Sequence, residues 1–212
     1  MPNKFHKAES LIETLVAVFV LALSATAALG LMVSTMKTVD SVQDRVVAIN
    51  LAREGLEAVR NVRESNWLEH SRERRDYWNC LGMSNCDNDK DLIQNNTNYI
   101  VDFDSDTFRW QLTEKPTALD LEDDTLASSN KDYLLFLEDF GDNGRFYTHN
   151  DNLGNAKESI FYRQITTRYL DTDEDVMEVK SRVEWHVDGN RVAHVELTTY
   201  LTDFLGRKVT IN

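Results

Sequence analysis

The chain has 212 residues, 28% of them charged, and 36 Asp/Glu against 23 Lys/Arg give a formal net charge of −13. That length holds one ordinary domain plus an anchor. A surface of this sign repels phosphate backbones and anionic headgroups, which argues against direct nucleic-acid binding and suits a domain that lives in water or meets cationic ligands.

The charge is unevenly placed. Residues 1–66 carry seven Lys/Arg and seven Asp/Glu, whereas residues 67–212 carry sixteen and 29, so the whole acidic excess belongs to the distal part. The first eight residues, MPNKFHKA, are short and basic, with Lys4 and Lys7 ahead of an apolar run. That bias keeps the N-terminus on the cytoplasmic side and sends the rest across. From Thr14 to Val33 no residue is charged. Twenty residues at about 1.5 Å each match the hydrocarbon core of a bilayer, so the spacing predicts a single-pass membrane helix. Glu13 stands at its edge, where an ionisable group is costly unless a partner neutralises it.

After Val33 the apolar residues Val39, Val42, Val46, Ile49, Leu56, Val59 and Val62 recur at helical spacing, with Asp40, Asp44, Arg45, Arg53, Glu54, Glu57, Arg60 and Arg63 between them. This reads as an amphipathic continuation over 34–66 with a mixed-charge exposed face, within one helix from about Leu11 to about Ser65. Its apolar stripe is expected to cover a sheet of the same chain.

Residues 67–98 read as a loop region rich in turn signals. They contain Cys80 and Cys86, close enough to form a disulfide if this part lies outside the cytoplasm. No second Cys or Cys/His pair stands at zinc spacing. Asn95 opens an Asn-Asn-Thr sequon. From Tyr99 the period becomes two: Tyr99, Val101 and Phe103 share a face, with Phe108, Trp110 and Leu112 as a second apolar set, and DYLLFLEDF, ESIFYRQITTRYL and DVMEVKSRVEWHV add strands. Met177, Val179, Val183, Trp185 and Val187 lie on one face of the last of these, opposite Glu178, Lys180, Arg182, Glu184 and His186. A three-residue loop, Asp188, Gly189 and Asn190, matches Trp185 with Ala193 and Val183 with Val195. A one-residue slip would invert the faces. The same register sets Glu184 opposite His194 and Arg182 opposite Glu196, both favourable pairs. The fold class is therefore α+β, with a long N-terminal helix packed on a C-terminal antiparallel sheet domain spanning 67–212.

Little in the chain suggests catalysis. His6 lies in the leader, His70 in a polar loop, and His186 and His194 on the solvent face of the last hairpin. No phosphate-binding loop, dinucleotide turn, HExxH or GxSxG motif occurs. An enzyme is not expected, nor a cofactor. Asp-x-Asp-x-Asp occurs at Asp87/Asp89/Asp91, Asp102/Asp104/Asp106 and Asp171/Asp173/Asp175, but the glycine and the terminal glutamate of an EF-hand loop are missing from each. Strand alternation accounts for the middle cluster, with Asp102 and Asp104 facing water. The other two remain calcium candidates.

The segment ESLIETLVAVFVLAL resembles the N-terminus of type IV pilins and of type II secretion pseudopilins, in which a short basic leader precedes an apolar helix interrupted by one glutamate. The resemblance covers residues 4–33, and the rest agrees in architecture only. It implies a leader, residues 1–8, removed by prepilin peptidase between Ala8 and Glu9, N-methylation of Glu9, and an assembly helix over 9–33. In that family the glutamate equivalent to Glu13 pairs with the free α-amine of a neighbouring subunit. Ala8 stands where the family usually has glycine, Glu9 where it usually has phenylalanine, and Gly30 where many members have proline. The implied partners are prepilin peptidase, the membrane and other pilin or pseudopilin subunits. The implied places are the cytoplasmic membrane for the precursor and the cell surface or periplasm for the fibre, with a minor or tip role suited to the large domain. Two alternatives stand beside it. One is a secreted binding protein cut by signal peptidase after Ala25–Ala27. The other is an uncut anchored protein with an enzymatic outer domain.

Overall fold

The structure, a computed structural model, describes residues 6–72, 74–82, 86, 91–104, 107–139, 144–151, 156–170, 175–187 and 191–203, with the backbone alone at 6–10 and 75. It divides into two compact units, Met1–Asp44 and Arg45–Asn212.

Helix α1 runs His6–Glu69. Within the first unit its side chains from Leu11 to Gln43 are exposed. In the second unit Ala48, Leu51, Ala52, Leu56, Ala58, Val59, Val62, Asn66 and Trp67 are buried. This stripe begins later than the valine spacing implies: Val39, Val42 and Val46 are 57%, 57% and 53% exposed. The reason is steric. The helix lies on the sheet through small residues, and a Cβ added at Gly55 would fall 2.6 Å from Ser181 Oγ and 2.9 Å from Ile165 Cδ1. Burial of Leu51, Leu56, Val59 and Val62 stabilises this contact by about 2 kcal/mol each, well above the roughly 1 kcal/mol that a helical glycine costs. The helix also runs past Ser65, because Asn66 and Trp67 bury their side chains. Asn66 Nδ2 donates to the Cys80 carbonyl at 3.0 Å.

A short helix, α2 (Arg74–Tyr77), follows, then β1 (Thr97–Asp104), β2 (Arg109–Lys115), α3 (Ala127–Asn130), β3 (Leu134–Asp139), β4 (Arg145–Thr148), β5 (Lys157–Tyr169), β6 (Val176–Val187) and β7 (Arg191–Thr202). All described strand pairs are antiparallel. The 13-residue β5 is the spine. On one side it carries β6, and β6 carries β7. On the other side β1 pairs with the C-terminal half of β5 and β3 with its N-terminal half, so that edge forks. The β6–β7 register is the expected one, Trp185↔Ala193, Val183↔Val195, Glu184↔His194 and Arg182↔Glu196. The three loop residues themselves lie outside the described set.

Both faces of the sheet are covered. Phe161, Val183, Trp185 and Leu135 pack with Ala48, Leu51 and Ala52 on the α1 side, while Ile100, Leu119, Leu121 and Tyr133 form a separate cluster on the other. The segment 116–133 makes that second cover, and it changes the fate of charges expected in solvent. Glu184 is 1% exposed and accepts the Leu121 N–H at 3.1 Å. Arg182 bonds Glu184 at 2.5 Å, and Lys180 reaches Glu196 at 3.5 Å. The cross-strand charges thus find partners along the face instead of directly opposite. Phe108 departs from the strand pattern altogether, with φ 55° and 80% exposure in the β1–β2 turn.

Candidate membrane and assembly segment

All but three residues of the membrane-length segment have side chains that cannot hydrogen-bond, so the helical backbone must satisfy itself. Its three hydroxyls do the same. Thr14 Oγ1 donates to the Leu11 carbonyl at 2.9 Å, Ser24 Oγ to Val20 at 2.8 Å and Thr26 Oγ1 to Leu23 at 2.9 Å. Thr35 and Thr38 repeat the pattern on Leu31 and Ser34. With these groups turned inward, the surface from Thr14 to Val33 is apolar apart from Glu13 at its margin. By length and composition α1 contains a helix long and apolar enough to cross a membrane, and none of its most apolar stretch is buried. Leu15, Phe19, Leu21 and Leu31 are 64%, 60%, 69% and 71% exposed.

Glu13 is exposed on this surface, and no described residue forms a salt bridge with it. Ala8 and Glu9 have helical backbone in α1, while their side chains and residues 1–5 lie outside the described set.

Cys80 and Cys86 form a disulfide. It closes a loop pinned to the sheet, where Leu81 N–H donates to the Asp91 carbonyl at 2.8 Å and Leu112 N–H to the Leu81 carbonyl at 2.9 Å. Gly82, at φ 90°, permits the approach, since a Cβ there would meet the Trp110 carbonyl oxygen at 2.4 Å. Of the calcium candidates, Asp87, Asp89, Asp171 and Asp173 lie outside the described residues. Asp91 and Asp175 use their carbonyls to accept from Leu81 and Asp203. Among the described residues no group of three or more His, Cys, Asp or Glu could hold a metal ion. The Asn95 side chain of the sequon accepts the Tyr169 N–H at 3.0 Å.

Charged groups also converge indoors, at the fork on β5. Arg163 is 0% exposed, on the same face of β5 as Phe161 and Ile165. Its guanidinium donates to Glu54 Oε1 at 2.9 Å and to the Val101 carbonyl at 3.0 Å, with a longer bond of 3.4 Å to the Leu51 carbonyl. Glu54 and Arg63, expected on an exposed helix face, instead contribute here and to the core margin: Arg63 is 8% exposed and lies over the Trp67 ring at 4.6 Å.

Asp102, expected in water, turns into the fork. It accepts the His149 N–H at 2.7 Å and the Thr148 hydroxyl at 3.2 Å. Burial pushes its carboxyl up, against the opposing pull of these bonds and of Arg163. His149, which pattern reading passes over because it lies in no strand, has Nδ1 3.2 Å from the Leu134 carbonyl. Burial and then the Arg163 charge hold its imidazole well below the ordinary range. The Thr148 hydroxyl is spent on Asp102 and also accepts the Asn150 N–H at 3.1 Å. These bonds close the gap between diverging strands.

No protein-family model, no curated protein and no solved structure matches this chain.

Proposed function

We propose that this chain is a pilin-like structural subunit, stored in the cytoplasmic membrane as a single-pass precursor, cut between Ala8 and Glu9, and assembled through residues 9–33 into a type IV pilus or pseudopilus. The observation that carries the reading is the exposed apolar segment with Glu13 as its marginal charge. A carboxylate in that setting is unfavourable alone and favourable beside a cation in the same apolar core, and the new α-amine of a neighbouring subunit supplies one. The α+β domain that follows then forms the surface of the fibre, and its disulfide suits a compartment outside the cytoplasm.

Two measurements test this. Intact mass and N-terminal sequence of the protein from its own cells are expected to show a start at Glu9, with one added methyl on the amine. A start at Ala28 would instead make it a secreted protein with no assembly helix. Glu13→Gln is expected to leave membrane insertion intact and to reduce recovery in sheared fibres about tenfold, the loss of one charge pair of roughly 1.4 kcal/mol. Equal recovery of wild type and variant would overturn the pairing role.

A further inference from the structure

Among the described residues the sheet ends in three edge strands, β2, β4 and β7, finished in different ways. The disulfide loop bonds to the outer side of β2 through Leu112 and Leu81, and β4 is four residues long. Short strands and covering loops are the usual protections against unwanted pairing. β7 has neither. It runs twelve residues in one unbroken register with β6 and pairs with no other strand among the described residues. It has no proline, and its α1-side positions Ala193, Val195 and Leu197 are apolar and only half-buried, so the core stays open along this rim.

The phase of its hydrogen bonds is fixed by one contact. Asp203 N–H donates to the Asp175 carbonyl at 2.9 Å, continuing the Val176↔Thr202 register. Odd-numbered residues of β7 therefore turn their backbone groups to β6, and alternation directs those of His194, Glu196, Thr198 and Tyr200 outward. The same four residues put their side chains on the face opposite α1, where Glu196 is 38% exposed and reaches the 40% exposed Lys180 at 3.5 Å, a solvent-facing pair that an incoming cation can share.

We propose that the outer edge of β7 receives an extended segment of a partner protein by strand addition. The segment alternates apolar side chains, which complete the open rim at Val195 and Leu197, with cationic ones, which lie beside Glu196. The backbone ladder provides the binding and the alternation the choice of partner. The net charge of −13 favours a basic strand over an acidic one. This inference stands apart from fibre assembly and from Glu13.

The test uses the full chain in non-ionic detergent and a capped seven-residue peptide alternating lysine and valine. Binding is expected to slow amide exchange at His194, Glu196, Thr198 and Tyr200 and to leave Val195 and Leu197, already bonded to β6, unchanged. Thr198→Pro removes an outward N–H and leaves the β6 ladder intact. It is expected to weaken binding about tenfold with no change in the thermal midpoint. The same peptide with alternate amides N-methylated decides the matter if that variant does not fold, because it keeps the charge and loses the ladder. Equal binding of the methylated peptide, equal binding by folded Thr198→Pro, or binding that requires removal of residues 204–212 would each overturn the proposal. The last result would make the chain's own C-terminal segment the occupant.

Discussion

At the scale of single residues, the same chemistry has opposite meanings at two places. Glu13 is a charge left exposed on an apolar helix, whereas Arg163 is a charge enclosed by two carbonyls and Glu54. In the proposed assembly the first meets a partner in another molecule, whereas the second already holds its own chain together. His149 is the titratable group with the clearest consequence. Its folded pKa is depressed below the ordinary 6.5, so the unfolded chain binds the proton first. The stability it contributes is fully present above about pH 6.5 and is lost as pH falls toward its folded value. Asp102, with a raised pKa, works in the opposite sense, because the folded state takes up its proton first on acidification. Its gain begins only as pH falls toward its own folded value. Urea unfolding followed at pH 7.5, 6.5 and 5.5 is therefore expected to show a falling midpoint, and His149→Gln, which can still donate to Leu134, is expected to flatten that fall. An unchanged slope in the variant would assign the acid sensitivity elsewhere.

At the scale of elements, α1 illustrates how packing overrides pattern. A stripe of valines suggests where a helix could be buried, but close approach to a sheet selects small residues. Gly55 sits where a side chain would strike Ser181, Ile165 and Arg163. Gly55→Leu gains about 1 kcal/mol in helix propensity and loses more by overpacking, typically 1–3 kcal/mol and here at the upper end because Ser181 and Ile165 are 0% exposed. The net expectation is destabilisation by about 2 kcal/mol, measured as a lower urea midpoint with an unchanged slope. A stabilised variant would mean that the helix does not lie on the sheet at this point. The last hairpin is the contrary case, since alternating apolar residues and a short loop leave one register that keeps both faces consistent.

At the scale of the whole molecule, the two units differ in how they are stabilised. Among the described side chains every buried residue of α1 lies at Ala48 or beyond, inside the unit Arg45–Asn212, together with the sheet, the disulfide and both core layers. A chain of residues 45–212 is therefore expected to be soluble without detergent and to unfold in one cooperative transition by near-ultraviolet circular dichroism. A molten or aggregated product would show that residues 1–44 are needed for folding. The apolar segment Leu11–Val33 has no such core of its own, and its exposed apolar surface is what the proposed assembly places in lipid or among other helices.

The sequence by itself determined the features that depend on local period: the twenty-residue apolar segment with Glu13 at its edge, the onset of two-residue alternation at Tyr99, the α+β class and the β6–β7 register. Each follows from a few neighbouring positions, because the 3.6-residue and two-residue repeats act over one turn or one strand. Only the tertiary structure decided which charges are enclosed and which edge stays open. Glu54 and Arg163 are 109 residues apart, and Asp102 and His149 are 47 apart, so no periodicity links them. The fork on β5 brings them together, with Arg163 fully enclosed. There an unpaired carbonyl or charge is too costly to leave, and partners are chosen by position in space.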